Sequence, residues 1–285
     1  MASTQDATEL LADARWLAEH RNAGSVVLVD SRPPKDYWTG HLEGARHFDP
    51  YPFSYYDTSE FGLQVFRRQL EWIFGALGIA GAETVVFYEN DTGMRATRGA
   101  WALEYLGHPS VRLLDGGLKA LGPDTNLVTD APAITPVSFR AKPREEILAT
   151  ADYVVACLET QGVQVLDVRS DEEYYSEHVR SRHGGAIPGA LHRDWRLANG
   201  PDGALLPAAR LRADFQALGL DPNAEIITYC QGGFRAAHAY FALKHAGFRK
   251  VRNYYGSWGE WGNRDDLPIE HPRRPASQEP RWRAA

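Results

Sequence analysis

Cysteine is almost absent from this chain. Only Cys157 and Cys230 occur among 285 residues. That excludes a disulfide-stapled secreted scaffold. With no CxxC pair it also excludes a cysteine-rich zinc site. Positive charge is not in surplus: 31 Lys and Arg stand against 37 Asp and Glu, a formal net charge of −6. Too few cations remain to neutralise a phosphate backbone, so nucleic acid is not expected as a partner. No stretch approaches the roughly 18 apolar residues of a membrane span, and no apolar run follows a basic start, so neither a membrane partner nor a signal segment is expected. No GxGxxG follows a strand, which speaks against a dinucleotide site. His41, His47, His108, His183, His192, His238 and His245 lack compact ligand spacing, so no metal or cofactor is expected. What is present is globular material: 44% hydrophobic residues, with eight Trp, 13 Tyr and 11 Phe. Such content rules out a mainly disordered chain. It reads as a cytoplasmic protein of about two domains.

The chain repeats itself. Val27-Leu28-Val29-Asp30-Ser31-Arg32 resembles Val165-Leu166-Asp167-Val168-Arg169, and an acid plus tyrosine follows each (Asp36-Tyr37, Glu173-Tyr174). The turn Gly40 to Ala45 matches Gly185 to Ala190. Further on, Thr84 to Tyr88 matches Glu225 to Tyr229, Trp101 to Gly107 matches Phe241 to Gly247, and Val111 to Gly117 matches Val251 to Ser257. The offset stays near 140 residues. A period of that length means duplicated domains, not a solenoid. Alternation of strand and helix makes each an α/β layer on a mainly parallel sheet with helices on both faces. The division expected is 1–121, a linker over 122–143, and 144–285. The linker carries Pro123, Pro132, Pro136 and Pro143 and reads as semi-rigid. From His271 onward a Pro/Arg-rich tail, with Arg273, Arg274, Pro280, Arg281 and Arg283, reads as a solvated segment over the surface.

Cys230 stands between a strand, Ile226 to Tyr229, and a helix starting near Arg235. The connection is Gln231-Gly232-Gly233-Phe234. In parallel α/β sheets ligands bind at the carboxyl ends of strands. Two glycines let the backbone curl so that N–H groups converge at a helix N-terminus, which holds an anion. Arg235 adds fixed positive charge. These features favour an ionised, nucleophilic thiol with no His–Asp partner. The plain alternative is a small buried hydrophobe at a strand end. Cys157, in an amphipathic stretch without cationic neighbours, reads as buried and inert. In the first repeat Glu89 falls opposite Cys230, in an acidic loop running to Arg95 without a thiol. That copy is expected to lack chemistry and to build one wall of the cleft.

These residues resemble the tandem-domain rhodanese family, the thiosulfate and 3-mercaptopyruvate sulfurtransferases, over about residues 8 to 270. Val251 to Trp261 carries the C-terminal signature, with Tyr255 as a departure, and Ile187-Pro188-Gly189-Ala190 matches a family turn, with Ala186 where His is common. Gly93, Arg98, Trp101, Gly107-His108 and Asp115-Gly116-Gly117 resemble the non-catalytic domain; in the first-domain turn His41 is kept and Glu43 replaces a proline. The resemblance implies ping-pong transfer: Cys230 takes the outer sulfur of thiosulfate, expels sulfite, and holds a persulfide against the N–H groups of Gln231, Gly232, Gly233, Phe234 and Arg235. A small-molecule acceptor such as cyanide, or a cellular thiol, then removes the sulfur. The resemblance also implies a substrate-binding arginine, matched best by Arg182, with Arg180 as rival. Asp167 and Arg169 match family positions and read as a brace of the strand end with Glu173. Trp195, Trp258 and Trp261 read as core or cleft wall.

Three other functions are compatible with parts of the sequence. A 3-mercaptopyruvate donor is disfavoured because the loop lacks that branch's usual Cys-Gly-(Ser/Ala)-Gly-Val-Thr. A cysteine-dependent phosphatase needs Cys-x5-Arg, whereas Cys230 and Arg235 form Cys-x4-Arg. A non-enzymatic redox or binding module would use Cys230 as an oxidisable group read by a partner.

Overall fold

Short β-branched runs form the centre of each half. The computed structural model describes residues 10–21 and 23–275. The first half runs β1 (Leu11–Ala12), α1 (Ala14–His20), β2 (Val26–Asp30), α2 (Pro34–Thr39), β3 (Arg46–His47), α3 (Glu60–Ala76), β4 (Thr84–Tyr88), α4 (Met94–Tyr105), β5 (Val111–Leu114) and α5 (Gly117–Leu121). The second runs β6 (Leu148–Ala149), α6 (Ala151–Cys157), β7 (Val163–Asp167), α7 (Asp171–Tyr174), β8 (Leu191–His192), α8 (Ala208–Ala217), β9 (Glu225–Tyr229), α9 (Phe234–His245), β10 (Lys250–Tyr254) and α10 (Ser257–Trp261). Both sheets are wholly parallel and share one order: β1-β5-β4-β2-β3 and β6-β10-β9-β7-β8. Central strands such as Thr84–Tyr88 are buried on both faces, hence their unbroken apolar runs.

Register sets the strand ends. Asp30 lies opposite Tyr88 and Asp167 opposite Tyr229. The hydroxyl of Tyr88 accepts from Leu42 N–H and that of Tyr229 from Ile187 N–H, each at 3.1 Å. Arg32 grips Asp30 and the Gly40 carbonyl; Arg169 grips Asp167 and the Gly185 carbonyl. The duplicated motif is thus a duplicated hydrogen-bond unit joining strand end and Gly-Ala turn.

One apolar cluster joins the halves. It runs from Phe66, Phe87 and Trp101 through Phe215, Phe241 and Tyr255. Separate clusters cover the outer face of each sheet. The helices α4 and α9 sit between the sheets, buried on nearly every side. Ala96, Ala100 and Ala102 on one, with Ala236, Ala237, Ala239 and Ala242 on the other, leave room for that position. Burial all round explains why neither helix shows a polar face.

Residues 122–143 lie along the first half. Val128 bridges His41, Val137 N–H donates to the Gly75 carbonyl, and Lys142 N–H to the Leu106 carbonyl. The tail begins by packing on the second half: Glu270 bridges Ala186, and Arg274 Nη1 donates to Asp171 at 3.0 Å. Pro280, Arg281 and Arg283 lie outside the described residues. Cys157 departs from expectation. It closes the short α6, whose inward face is Ala151 and Val154, and is left partly exposed at the edge of that cluster.

Candidate active site

Cys230 follows β9 directly and is 1% exposed. It sits within the cluster that joins the halves, not in an open cleft. Its position is fixed from α10: Cys230 N–H donates to Ser257 Oγ at 3.1 Å, while the Cys230 and Gln231 carbonyls accept from Trp258 N–H and Gly259 N–H at 3.0 and 2.7 Å. Ser257 holds φ of 54°, in the left-handed region, where its counterpart in the first half is Gly117 at 55°. A serine there costs about 1–2 kcal/mol of backbone strain. In return its hydroxyl ties Cys230 to the Tyr254 carbonyl.

The loop then turns into α9 through Gly233, whose φ is 79°. A Cβ on Gly233 would lie 2.7 Å from Tyr255 Cα, so no other residue fits without displacing backbone. Among the described residues, no acceptor takes the N–H groups of Gln231, Gly232, Gly233, Phe234 or Arg235. The twin loop in the first half is different. There Glu89, opposite Cys230, turns its carboxylate back on the helix start, and Oε1 accepts from Arg95 N–H at 2.7 Å and Ala96 N–H at 2.9 Å. Burial pushes the Glu89 carboxyl up to about 7, outweighing those two amides. The loop that lacks a thiol therefore turns its own carboxyl group onto the helix start. The Glu89 side chain takes the place that an external ligand would need there.

Arg235 reaches Glu173. Nη2 donates to Oε1 at 2.9 Å, and Nη1 donates to Oε2. Arg180 Nη1 donates to the same Oε1 at 3.3 Å. Burial raises Glu173, but the Arg235 hydrogen bond and charge, the Ser170 N–H and Arg180 overcome it and hold the carboxyl at about 2. Burial also opposes the Arg235 charge, yet Glu173 and the facing Cys230 push that guanidinium above its ordinary range. Glu173 is thus the counter-ion of Arg235, not a third member of the Asp167–Arg169 brace. Ser170 and Glu173 form a capping box at α7, and Ser170-x-x-Glu173 was the readable trace of that placement.

Arg182 is not brought to the loop. Its side chain is 59% exposed and paired with Asp265. Ser181, one residue back, does reach the loop, accepting from Gln231 Nε2 at 3.0 Å. From the first half, Tyr56 packs against Gly232 and Gly259, and the Tyr51 ring lies 5.3 Å from that of Phe234. Trp258 and Trp261 are buried core, and Trp195 packs edge-on against His238. Among the described residues, no three His, Cys, Asp or Glu side chains are grouped to hold a metal ion. No helix among them is long and apolar enough to cross a membrane.

Two sheets of one order, one ending in a glycine-rich cysteine loop and the other in a loop closed by its own glutamate, define a duplicated α/β domain with a thiol at only one of the two matching strand ends. The rhodanese-like domain family matches residues 13–122 and 150–264, and the chain belongs to that family. It is 36% identical over 262 residues to a thiosulfate sulfurtransferase of Azotobacter vinelandii, covering 92% of this chain and 97% of that protein. A protein of the same name from Pseudomonas aeruginosa is 33% identical with the same coverage. The sulfur carrier protein TtuD of Thermus thermophilus is 32% identical, over 92% of this chain and 96% of that one. Among solved structures, wild-type EanB superposes with a TM-score of 0.83 at 22% identity, over 95% of this chain and 70% of that chain, a likeness of fold.

Proposed function

We propose that this chain is a sulfurtransferase that moves the sulfane sulfur of thiosulfate to cyanide or a thiol through a persulfide on Cys230. The Cys230 sulfur attacks the outer sulfur of thiosulfate. The donor's S–S bond breaks and its electron pair leaves with sulfite. The persulfide's negative charge rests against the N–H groups of Gln231 to Arg235. An acceptor nucleophile then takes the terminal sulfur, and the bonding pair returns to Cys230 as thiolate. This is covalent catalysis with preorganised dipoles facing the charge.

One observation carries the reading. Both halves place a loop between matching strand and helix, one residue longer and without the left-handed glycine in the first half; the helix start there is closed by the Glu89 carboxyl group, whereas the N–H groups after Cys230 have no acceptor among the described residues. Thiosulfate as donor is supported by the relatives from Azotobacter and Pseudomonas that carry that name. A protein thiol as acceptor is supported by the relative named a sulfur carrier. Two free cysteines suit a reducing, cytoplasmic setting. Arg180, in contact with the Glu173–Arg235 pair, is better placed than Arg182 to meet an anionic donor. A phosphatase reading fares worse, since Arg235 is spent on Glu173 and the loop is one residue short.

Intact-mass spectrometry after incubation with thiosulfate tests this directly. The native chain should gain one sulfur atom, release sulfite, and return to its starting mass on adding cyanide. The Cys230→Ala protein should gain nothing. A native protein that folds but takes up no sulfur would refute the proposal.

A further inference from the structure

Arg98, on α4 of the half without a nucleophile, is 3% exposed, and its guanidinium makes no hydrogen bond or ion pair with any described residue. Nη1 is buried without a partner. Four rings surround it instead: Phe66 at 5.4 Å, Trp101 at 4.9 Å, Phe234 at 5.5 Å and Tyr255 at 5.2 Å from Cζ to ring centroid. Two of these flank the Cys230 loop. Phe234 opens α9, and Tyr255 packs its backbone on Gly233. Burial pushes Arg98 down to about 10, so it stays charged at neutral pH, and Tyr255, Cys230 and Tyr56 are the groups whose charge it feels.

The other buried cations near the loop are already matched. Arg235 belongs to Glu173 and Arg169 to Asp167. Arg235 also acts on Cys230, but it shares its charge with Glu173. The pseudo-symmetry sharpens the contrast. The residue of α9 that matches Arg98 is His238, which reaches the other way, toward the Glu89 loop, with its Nε2 2.8 Å from Asn199 Oδ1. Burial pushes His238 down to about 4, so it is neutral at pH 7. A permanent cation thus stands over the thiol loop and a neutral ring over the carboxylate loop. A buried unpaired charge is costly, and cation–π contacts offset only part of that cost.

We propose that Arg98 is the cation that sustains negative charge on the Cys230 sulfur, first as thiolate and then as persulfide, and that draws an anionic donor to it. The half without a nucleophile is then more than a wall: it supplies the uncompensated charge. The inference rests on Cys230 as the nucleophile, as read above.

Alkylation of Cys230 by iodoacetate, an anion, and by iodoacetamide, a neutral reagent of similar size, tests it without requiring turnover. Cys157→Ala serves as background in every protein so that one thiol reports. Arg98→Met keeps the packing among the rings and removes the charge. It should slow iodoacetate by about tenfold or more and iodoacetamide by less, so their rate ratio falls. Arg98→Lys should recover most of the ratio. A purely structural role predicts the ratio unchanged, with both rates altered together or not at all, and that result overturns the proposal. Should Arg98→Met fail to fold, Arg98→Gln carries the same readout with a polar head retained. Absence of any Cys230 alkylation in the parent protein would instead count against Cys230 as the nucleophile.

Discussion

Glu173→Gln separates the electrostatics of the site from its packing. The side chain keeps its size, and Gln still offers one acceptor to Arg235, but the charge is gone. In the native protein the Glu173 carboxyl is lowered from 4.5 to about 2. At about 1.4 kcal/mol per unit, that difference corresponds to about 3 kcal/mol of stability at neutral pH. The same figure follows from stranding a buried Arg235, which costs about 3–5 kcal/mol when one partner of a buried pair is removed. A depressed folded-state value means the contribution is complete above the unfolded value and is lost as pH falls toward the folded one. The window is therefore pH 4.5 down to about 2. Urea denaturation followed by tryptophan fluorescence, at pH 7, 4.5 and 3, reads the difference between native and variant. The gap should be about 3 kcal/mol at pH 7, nearly the same at pH 4.5, and less than half as large at pH 3. A gap that is absent at pH 7, or that does not shrink on acidification, would refute the assignment of Glu173 as the counter-ion of Arg235.

Other outcomes follow from the same geometry. Cys230→Ala should abolish sulfur transfer while leaving the circular dichroism spectrum intact, whereas Cys157→Ala, at the partly exposed end of α6, should keep its rate within about twofold. Gly233→Ala should lower activity by more than about tenfold and destabilise by at least about 1–2 kcal/mol, because its φ is 79° and its Cβ would strike Tyr255 backbone; Gly232→Ala meets only the half-exposed Tyr56 ring at 2.5 Å and should retain most activity. Glu89→Gln should flatten the pH dependence of stability between 4.5 and about 7, where the native protein loses about 3 kcal/mol as pH rises because the unfolded chain ionises this carboxyl first; parallel native and variant curves would exclude this. Arg180→Ala should raise the thiosulfate KM severalfold while Arg182→Ala leaves it near native, in steady-state assays of both.

Much of this is legible in the amino-acid sequence. The duplication is visible because each strand end needs the same Asp–Arg–Tyr hydrogen-bond unit, and those residue types recur at a fixed offset. The cysteine loop is visible because a backbone curled at a helix start needs glycine, as Gly233 with its positive φ bears out. Other features left weaker traces. In the sequence Arg169 and Arg235 are equally plausible partners of Glu173, and only the fold, by bringing α7 beside α9, selects Arg235. Arg182 matches the family's substrate-binding arginine in sequence, but the fold points it at Asp265 on the surface. In the sequence Arg98 is only one residue of a family pattern, and Ser257 only the counterpart of Gly117; that its hydroxyl anchors Cys230 follows from the fold.

The linear chain by itself determined two α/β repeats, their parallel sheets, and one thiol at a strand end, because these depend on local periodicity, turn chemistry and residue identity. Tertiary structure decided which charges are spent and which are left over. Pairing Arg235 with Glu173, closing Glu89 on its own helix, and carrying Arg98 across to the other half all join residues far apart in sequence. Their energies depend on separation and desolvation, which exist only once the two sheets have packed against α4 and α9.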